Sequence, residues 1–221
     1  MENLYKLDEY KETSWSGGKT REYFIYPVDS TYKDRDFKIR FSEASVDITG
    51  TDFTKLPGYK RYLIPITNTL ILNMKGNKIP IKKYTAFYFD GSDDIVSEST
   101  GHDLNLMLSE DLVGKLEVVK FYNELLIKDD IKKSKILFFY SLENSVQIIS
   151  KKKTVTLDKN EVAVFISDDK FELKISAEKE ENKIINNYSL NYYITFVAIN
   201  KVWNEHTIHK KFFKLQIFYI K

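Results

Sequence analysis

The hydrophobic and polar positions of this chain alternate with a period of two over most of its length. Phe37, Ile39 and Phe41 alternate with Lys38, Arg40 and Ser42, and Phe171, Leu173 and Ile175 alternate with Glu172 and Lys174. That period belongs to half-buried β-strands. Further strands are predicted over 21–28, 61–66, 69–74, 85–89, 94–98, 102–108, 116–122, 136–142, 145–149, 153–157, 161–166, 190–199 and 212–219. The last carries Phe213, Leu215, Ile217 and Tyr219 in alternation. Gly, Asn, Asp and Lys turns separate these runs. Helix signals are poor: 123–135 predicts at most one short helical turn, and 176–187 is charged enough to read as a loop. Many short, closely spaced strands predict an all-β sandwich or barrel.

A degenerate internal repeat refines that expectation. The segment from Tyr62 through Asn68 to Leu72 matches the segment from Phe138 through Asn144 to Ile148, an offset of 76 residues. Residues 86–94 resemble 163–169 at nearly the same offset. Each half reads as a hairpin, a connecting turn and another hairpin. Residues 157–165 and the turn after them have the look of a cupin strand pair. Two tandem jelly-roll barrels, a bicupin, need about this many strands. The expected division is 1–122 for a first barrel carrying the candidate site and 123–221 for a degenerate second one, with strands exchanged between barrels permitted.

Composition narrows the class. With 221 residues, 43% hydrophobic and 14% aromatic, the chain can bury a sizeable core. Its 34 basic and 32 acidic residues give a net charge of +2, which makes no electrostatic case for nucleic acid. The lysine runs at 132–135 and 151–153 read as solvated turns. The absence of cysteine excludes disulfides, thiolate metal sites and a cysteine nucleophile. Residues 1–12 are polar and acidic without a signal-peptide core, and no run approaches the ~18 apolar residues of a membrane helix. The expectation is a soluble cytoplasmic protein.

Three blocks carry a family resemblance. The first is Trp15-Ser16-Gly17-Gly18-Lys19-Thr20-Arg21-Glu22. The second runs over 36–46 with Arg40, Ser42 and Glu43, and continues over 52–63 with Pro57, Gly58 and Arg61. The third comprises Phe87 to Asp93 with Asp90-Gly91, then Gly101-His102-Asp103-Leu104-Asn105-Leu106-Met107. In this order and spacing they resemble the HutD/Ves family of bicupins. The resemblance covers roughly 15–107 in motifs and the second half in strand pattern only. It implies two cupin barrels and, in some members, a part in histidine utilisation through sensing a small acidic intermediate such as formylglutamate or urocanate. Other members are associated with cold or stress response. The chain departs from the pattern near Asn68, where a glycine is usual, at Lys19, where a further glycine is common, and over 201–221.

The candidate chemistry follows from the residue types. Metal-binding cupins offer two His one residue apart, a Glu and a distant third His. Here His102 stands alone, and His206 and His209 lie outside both repeats, so neither a metal nor another cofactor is expected. No nucleophile elbow and no phosphate loop is present. What remains suits a small anion. Arg40 and Ser42 share the polar face of one strand, and Arg61 opens another. A guanidinium holds a carboxylate with two parallel hydrogen bonds, although a salt bridge to a nearby acid is the structural alternative for Arg61. In the repeat Arg61 corresponds to Leu137, which assigns the site to the first barrel. Asp103 and Asn105 share one strand face, and Glu43 is expected to pair with Arg40 or Arg61. Thr20 and Glu22 complete the ligand set, with Trp15, Gly17 and Gly18 as the rim. The expected function is non-enzymatic binding of a small acidic metabolite, with a homodimer compatible. The alternatives are a metal-free isomerase or hydrolase using Glu43, Asp103 or His102 as general base, and a scaffold contacting a partner through its strand faces.

Overall fold

The computed structural model describes residues 2–131, 134–177, 192–201 and 216–220, and among these every helix or strand is a strand. No helix among the described residues is long and apolar enough to cross a membrane. The chain opens with β1 (Glu2–Leu7), β2 (Lys11–Trp15), β3 (Gly18–Tyr26), β4 (Ile39–Val46) and β5 (Thr51–Asp52). Next come β6 (Tyr59–Pro65), β7 (Leu70–Met74), β8 (Asn77–Ile81), β9 (Phe87–Asp90), β10 (Ile95–Ser97) and β11 (Gly101–Ser109). The second half holds β12 (Leu112–Phe121), β13 (Glu124–Asp129), β14 (Lys135–Ser141), β15 (Val146–Ile149) and β16 (Thr154–Leu157). It closes with β17 (Val162–Ser167), β18 (Phe171–Ala177), β19 (Tyr192–Lys201) and β20 (Gln216–Ile220).

Two compact units result. One is residues 9–118; the other joins residues 1–8 to 119–221. The first eight residues belong there because β1 is hydrogen-bonded antiparallel to β17, from Glu2 opposite Ser167 to Leu7 opposite Val162. In the 9–118 unit a six-stranded sheet of order β2-β3-β4-β11-β6-β9 accompanies a four-stranded sheet of order β5-β10-β7-β8. The second unit has sheets of order β1-β17-β14-β19-β12 and β16-β15-β18-β13-β20.

The repeat seen in the sequence is a repeat of topology. Adding eight to each label turns β4-β11-β6-β9 into β12-β19-β14-β17, and β5-β10-β7-β8 into β13-β18-β15-β16. In the second unit an apolar cluster runs from Leu4 and Phe121 through Leu137, Phe139 and Phe165 to Ile194. In the 9–118 unit apolar clusters form around Leu63, Leu72 and Phe89 and around Phe37, Leu56 and Tyr59.

Three local expectations change. The turn expected over 123–135 is strand β13, because Leu125, Ile127 and Asp129 point inward with period two. Lys135, expected in a solvated turn, is buried on β14 and paired with Asp129 at 3.2 Å. A buried ammonium is tolerated only with such a partner. Strands β1, β2 and β8 had no clear signal. Of 176–187, Ser176 and Ala177 end β18; the rest of that segment, together with His206 and His209, lies outside the described residues. So does most of 201–221, apart from Lys201, which ends β19, and β20, which pairs with β13.

Candidate functional site

Strand parity builds one polar wall. Arg40, Ser42 and Ala44 on β4, Asp103, Asn105 and Met107 on β11, Thr20 and Glu22 on β3, and Arg61 on β6 all face a cavity of about 280 Å³ within the 9–118 unit. Register sets them in rows. Met107 lies opposite both Arg40 and Arg61, Ser42 lies between Glu22 and Asn105, and Ala44 lies between Thr20 and Asp103. Lys11, Thr13, Ser14 and Trp15 from β2, Thr31 to Lys33 from the β3–β4 connection, and Phe53 and Thr54 close the remaining sides.

The two arginines differ in how they are held. Arg40 Nε donates to Glu22 Oε2 at 2.6 Å and its Nη1 donates to Ser42 Oγ at 3.3 Å. Its guanidinium also lies 4.3 Å from the centre of the Tyr32 ring. Arg61 is 6% exposed. Its Nη1 donates to the Thr54 carbonyl at 3.0 Å, and the Phe89 and Phe53 rings cover it at 4.7 and 5.7 Å. It forms no ion pair among the described residues, and its Nε–H has no partner. Burial lowers its pKa, to about 10, so it remains charged at neutral pH.

Asp103 is the matching anomaly. It is 1% exposed, accepts from Asn105 Nδ2 on Oδ1, and has no partner on Oδ2. Burial pushes its pKa up to about 7 against the opposing pull of Asn105 and Arg61. Loss of solvation outweighs those attractions, as it does for isolated buried carboxyls. Four cationic side chains, Lys11, Lys33, Arg40 and Arg61, line the cavity against two acidic ones, Glu22 and Asp103. The cavity therefore has a cationic excess.

Eight of the residues singled out from sequence thus come together: Trp15, Thr20, Glu22, Arg40, Ser42, Arg61, Asp103 and Asn105. Glu43 does not. Its odd position on β4 turns it to the opposite face, where Oε2 accepts from Tyr23 at 2.8 Å and Oε1 lies 3.1 Å from His102 Nδ1. Pairing with Arg40 or Arg61 is thereby overturned, and His102 is not alone. Neither Glu43 nor His102 faces the cavity. Among the described residues, no three His, Asp or Glu side chains gather in a group able to hold a metal.

Gly17 lies in the β2–β3 turn and Gly18 begins β3, paired with Trp15, and neither lines the cavity. A Cβ on Gly17 would stand 2.4 Å from the Trp15 ring, and one on Gly18 would stand 2.3 Å from the Ser45 carbonyl oxygen. The glycines let the indole fold beneath the turn and let β3 approach β4. Gly18→Ala is expected to destabilise the protein by roughly 2–3 kcal/mol, since its clash is with backbone that cannot yield cheaply. Urea unfolding measures this, and an unchanged midpoint would refute it. Tyr32, Phe53 and Met107 are lining residues that sequence reasoning missed. Met107 shares the parity of Asp103 and Asn105 and was findable by that rule; Tyr32 sits in an aperiodic connection and was not.

Two of the equivalent positions of the other unit are apolar. The offset that aligns the repeat places Leu137 at Arg61, and the registers place Ile194 opposite Ser141 as Asp103 is opposite Pro65. Leu137 and Ile194 are both fully buried. At these two positions the framework is apolar and buried in one unit and lines a polar hollow in the other.

The chain is all-β, its two units repeat one strand order, and the 9–118 unit holds a polar hollow, an arrangement that fits a cupin-type fold. Solved structures agree on the fold. A conserved protein of unknown function from Pseudomonas aeruginosa PAO1 superposes with a TM-score of 0.72 at 17% identity, covering 90% of this chain and 98% of that one. HutD from Pseudomonas fluorescens SBW25 gives 0.68 at 14% identity, with 91% and 100% covered. A cupin 2 conserved barrel domain protein from Leptotrichia buccalis gives 0.52 at 11% identity, with 84% and 90% covered. The HutD family model matches residues 7–182, and the chain belongs to that family. No curated protein matches it in sequence.

Proposed function

We propose that this chain is a small-molecule-binding protein of the HutD type. On this reading its two units are jelly-roll barrels, and the 9–118 barrel takes up an acidic metabolite while the other is structural. The observation that carries the reading is Arg61: a buried guanidinium facing a cavity with no carboxylate of its own. Arg40 is already neutralised by Glu22, which leaves Arg61 as the anchor for a ligand carboxylate. The cavity volume suits a compact metabolite. By family, the acid is one of histidine breakdown, formylglutamate or urocanate, and its capture modulates that pathway in the cytoplasm. Calorimetric titration of the full chain with both acids is expected to give saturable binding near one per chain. No heat and no NMR shift at millimolar acid, with folded protein, would sink the reading.

One observation favours a second reading, a metal-free isomerase or hydrolase. Asp103 is a buried carboxyl with a free oxygen and a pKa of about 7, a value suited to a general base at neutral pH. Of the three candidate bases it alone lines the cavity. Turnover of a bound acid that Asp103→Asn abolishes while binding persists would establish catalysis; binding without turnover supports sensing.

A further inference from the structure

Four edge strands bound the two sheets of the 9–118 unit, and three of them are blunted against further pairing. β2 carries Lys11 and Glu12, β8 carries Lys78 and Pro80, and β5 is only Thr51–Asp52. Charge, proline and shortness are what natural edges use to refuse a foreign strand. β9 reads Phe87-Tyr88-Phe89-Asp90, with neither lysine nor proline. Its strand neighbour among the described residues is β6. Gly91 N–H donates to the Tyr59 carbonyl at 2.8 Å. Bonded pairs recur at every second residue of an antiparallel ladder, so Phe89 and Phe87 bond to β6 while Tyr88 and Asp90 turn their backbone outward. Asp93 satisfies Asp90: the Asp90 N–H donates to Asp93 Oδ2 and the Asp90 carbonyl accepts from Asp93 N–H, both at 3.0 Å. The outward N–H and C=O of Tyr88 meet no such partner among the described residues.

The repeat shows what such a flank takes. Adding eight turns β9 into β17, and β17 has β1 antiparallel along its outer flank. Phe89 lies opposite Arg61 as Phe165 lies opposite Leu137, so Tyr88 corresponds to Val164, which is paired with Tyr5. The sequence around β9 is also complementary to its own reverse. Lys82 and Asp94 are equally far from Tyr88, and so are Lys83 and Asp93. We propose that β9 is the seam of a homodimer: a second copy lays its β9 antiparallel on this flank about a two-fold axis at Tyr88, joining the two six-stranded sheets. The two Tyr88 residues then exchange both backbone hydrogen bonds. Lys82 and Lys83 of each copy come beside Asp94 and Asp93 of the other, whereas parallel pairing would set like charges together. Asp93 and Asp94 already meet Lys75 and Lys55 at the surface, so these charges set orientation more than strength. The contact is isologous, the form that closes at two subunits. It also covers the Tyr88 ring, which is 53% exposed and stands 5.1 Å from Tyr62 on β6. Tyr62 and Tyr88 of both copies form one aromatic row across the seam.

The seam is independent of what the cavity holds. Sedimentation velocity of the full chain from ~1 to ~200 µM is expected to show a mass rising from 26.0 kDa toward twice that value, since a short seam makes a weak dimer. Tyr88→Pro removes an outward N–H and no bond to β6, and Tyr88→Lys gives β9 the kind of residue that guards β2 and β8. Both variants are expected to sediment as monomers at ~200 µM, a loss of at least ~10-fold in dimer affinity, with urea midpoints near the parent's. The chain has no cysteine, so Tyr88→Cys supplies a second readout that stands even if those variants fail to fold. Mild oxidation is expected to give a covalent dimer on a denaturing gel, because the two positions meet on the axis. A parent that stays monomeric at ~200 µM would overturn the proposal. So would a dimer that persists in folded Tyr88→Lys, or oxidised Tyr88→Cys that yields no covalent dimer.

Discussion

Arg61→Leu is expected to abolish acid binding while leaving the protein folded. Arg61 is enclosed by Phe53, Phe89 and the Thr54 carbonyl and has no ion-pair partner among the described residues. Deleting it breaks no salt bridge among the described residues; Asp103 loses the attraction of its charge, which pushes that carboxyl further toward the protonated, neutral form. Replacing an incompletely satisfied buried charge by an aliphatic side chain is often neutral or stabilising. The other unit already carries the substitution, since Leu137 is packed without exposure at the equivalent place. The effect on a ligand carboxylate is the reverse. Losing one member of a buried, hydrogen-bonded charge pair costs about 2–5 kcal/mol, which is at least ~30-fold in affinity. Calorimetry should therefore lose the signal while the urea midpoint holds or rises. Binding that survives in folded Arg61→Leu would remove Arg61 from the role of anchor and point to Arg40 or the rim lysines. Arg61→Lys should recover only part of the affinity, because an ammonium cannot make the two parallel bonds.

Asp103→Asn is expected to make the protein more stable at alkaline pH and to flatten its stability between pH 4 and 7. Asp103 titrates at about 7 in the folded chain against an ordinary 3.8. Between those values the folded state keeps a proton that the unfolded state releases, so stability falls as pH rises through the window. Above pH 7 the penalty is complete, on the order of 4 kcal/mol if the whole shift counts. Asparagine has the same shape, keeps an oxygen for Asn105 Nδ2 and has no charge to bury. The variant and the parent should match near pH 4 and diverge toward pH 8, the variant the more stable. Urea unfolding at pH 4, 6 and 8 measures both. Parallel pH profiles would show that Asp103 is not the carboxyl being held protonated. A carboxyl kept in so unfavourable a place is a common mark of a functional site.

How much of this was legible depended on whether one strand face was buried and the other was not. The paired strands β4 and β11 alternate cleanly, so Arg40, Ser42, Asp103 and Asn105 could be put on common faces before any coordinates. Whether that face met solvent or a cavity was undetermined, because a polar face serves either. Parity also held the answer for Glu43, which is odd where Arg40 and Ser42 are even. The expectation that it would reach the arginines gave sequence proximity more weight than strand geometry. β8 was missed because Asn77-Lys78-Ile79-Pro80-Ile81 is polar and contains a proline; it survives as an edge strand, where a missing N–H is tolerated. β13 was misread because Leu125-Leu126-Ile127 is a continuous apolar run, which does not separate strand from helix. The orphaned atoms of Arg61 and Asp103 had no sequence signal at all, since hydrogen-bond satisfaction depends on residues distant along the chain.

The seating of β1 against β17 has a consequence for how the chain is made. Glu2 to Leu7 emerge from the ribosome well before their partners, residues 162–167. The 9–118 unit has every strand of its two sheets long before those partners exist. Its cavity can therefore be complete, and able to hold a ligand, while the opening strand is still unpaired. When β17 is finally synthesised, one of its flanks is an open edge until residues 2–7 return to cover it. The interval between translation of the two segments is the period in which the nascent protein is most exposed to wrong strand partners, and a ligand bound early would not shorten it.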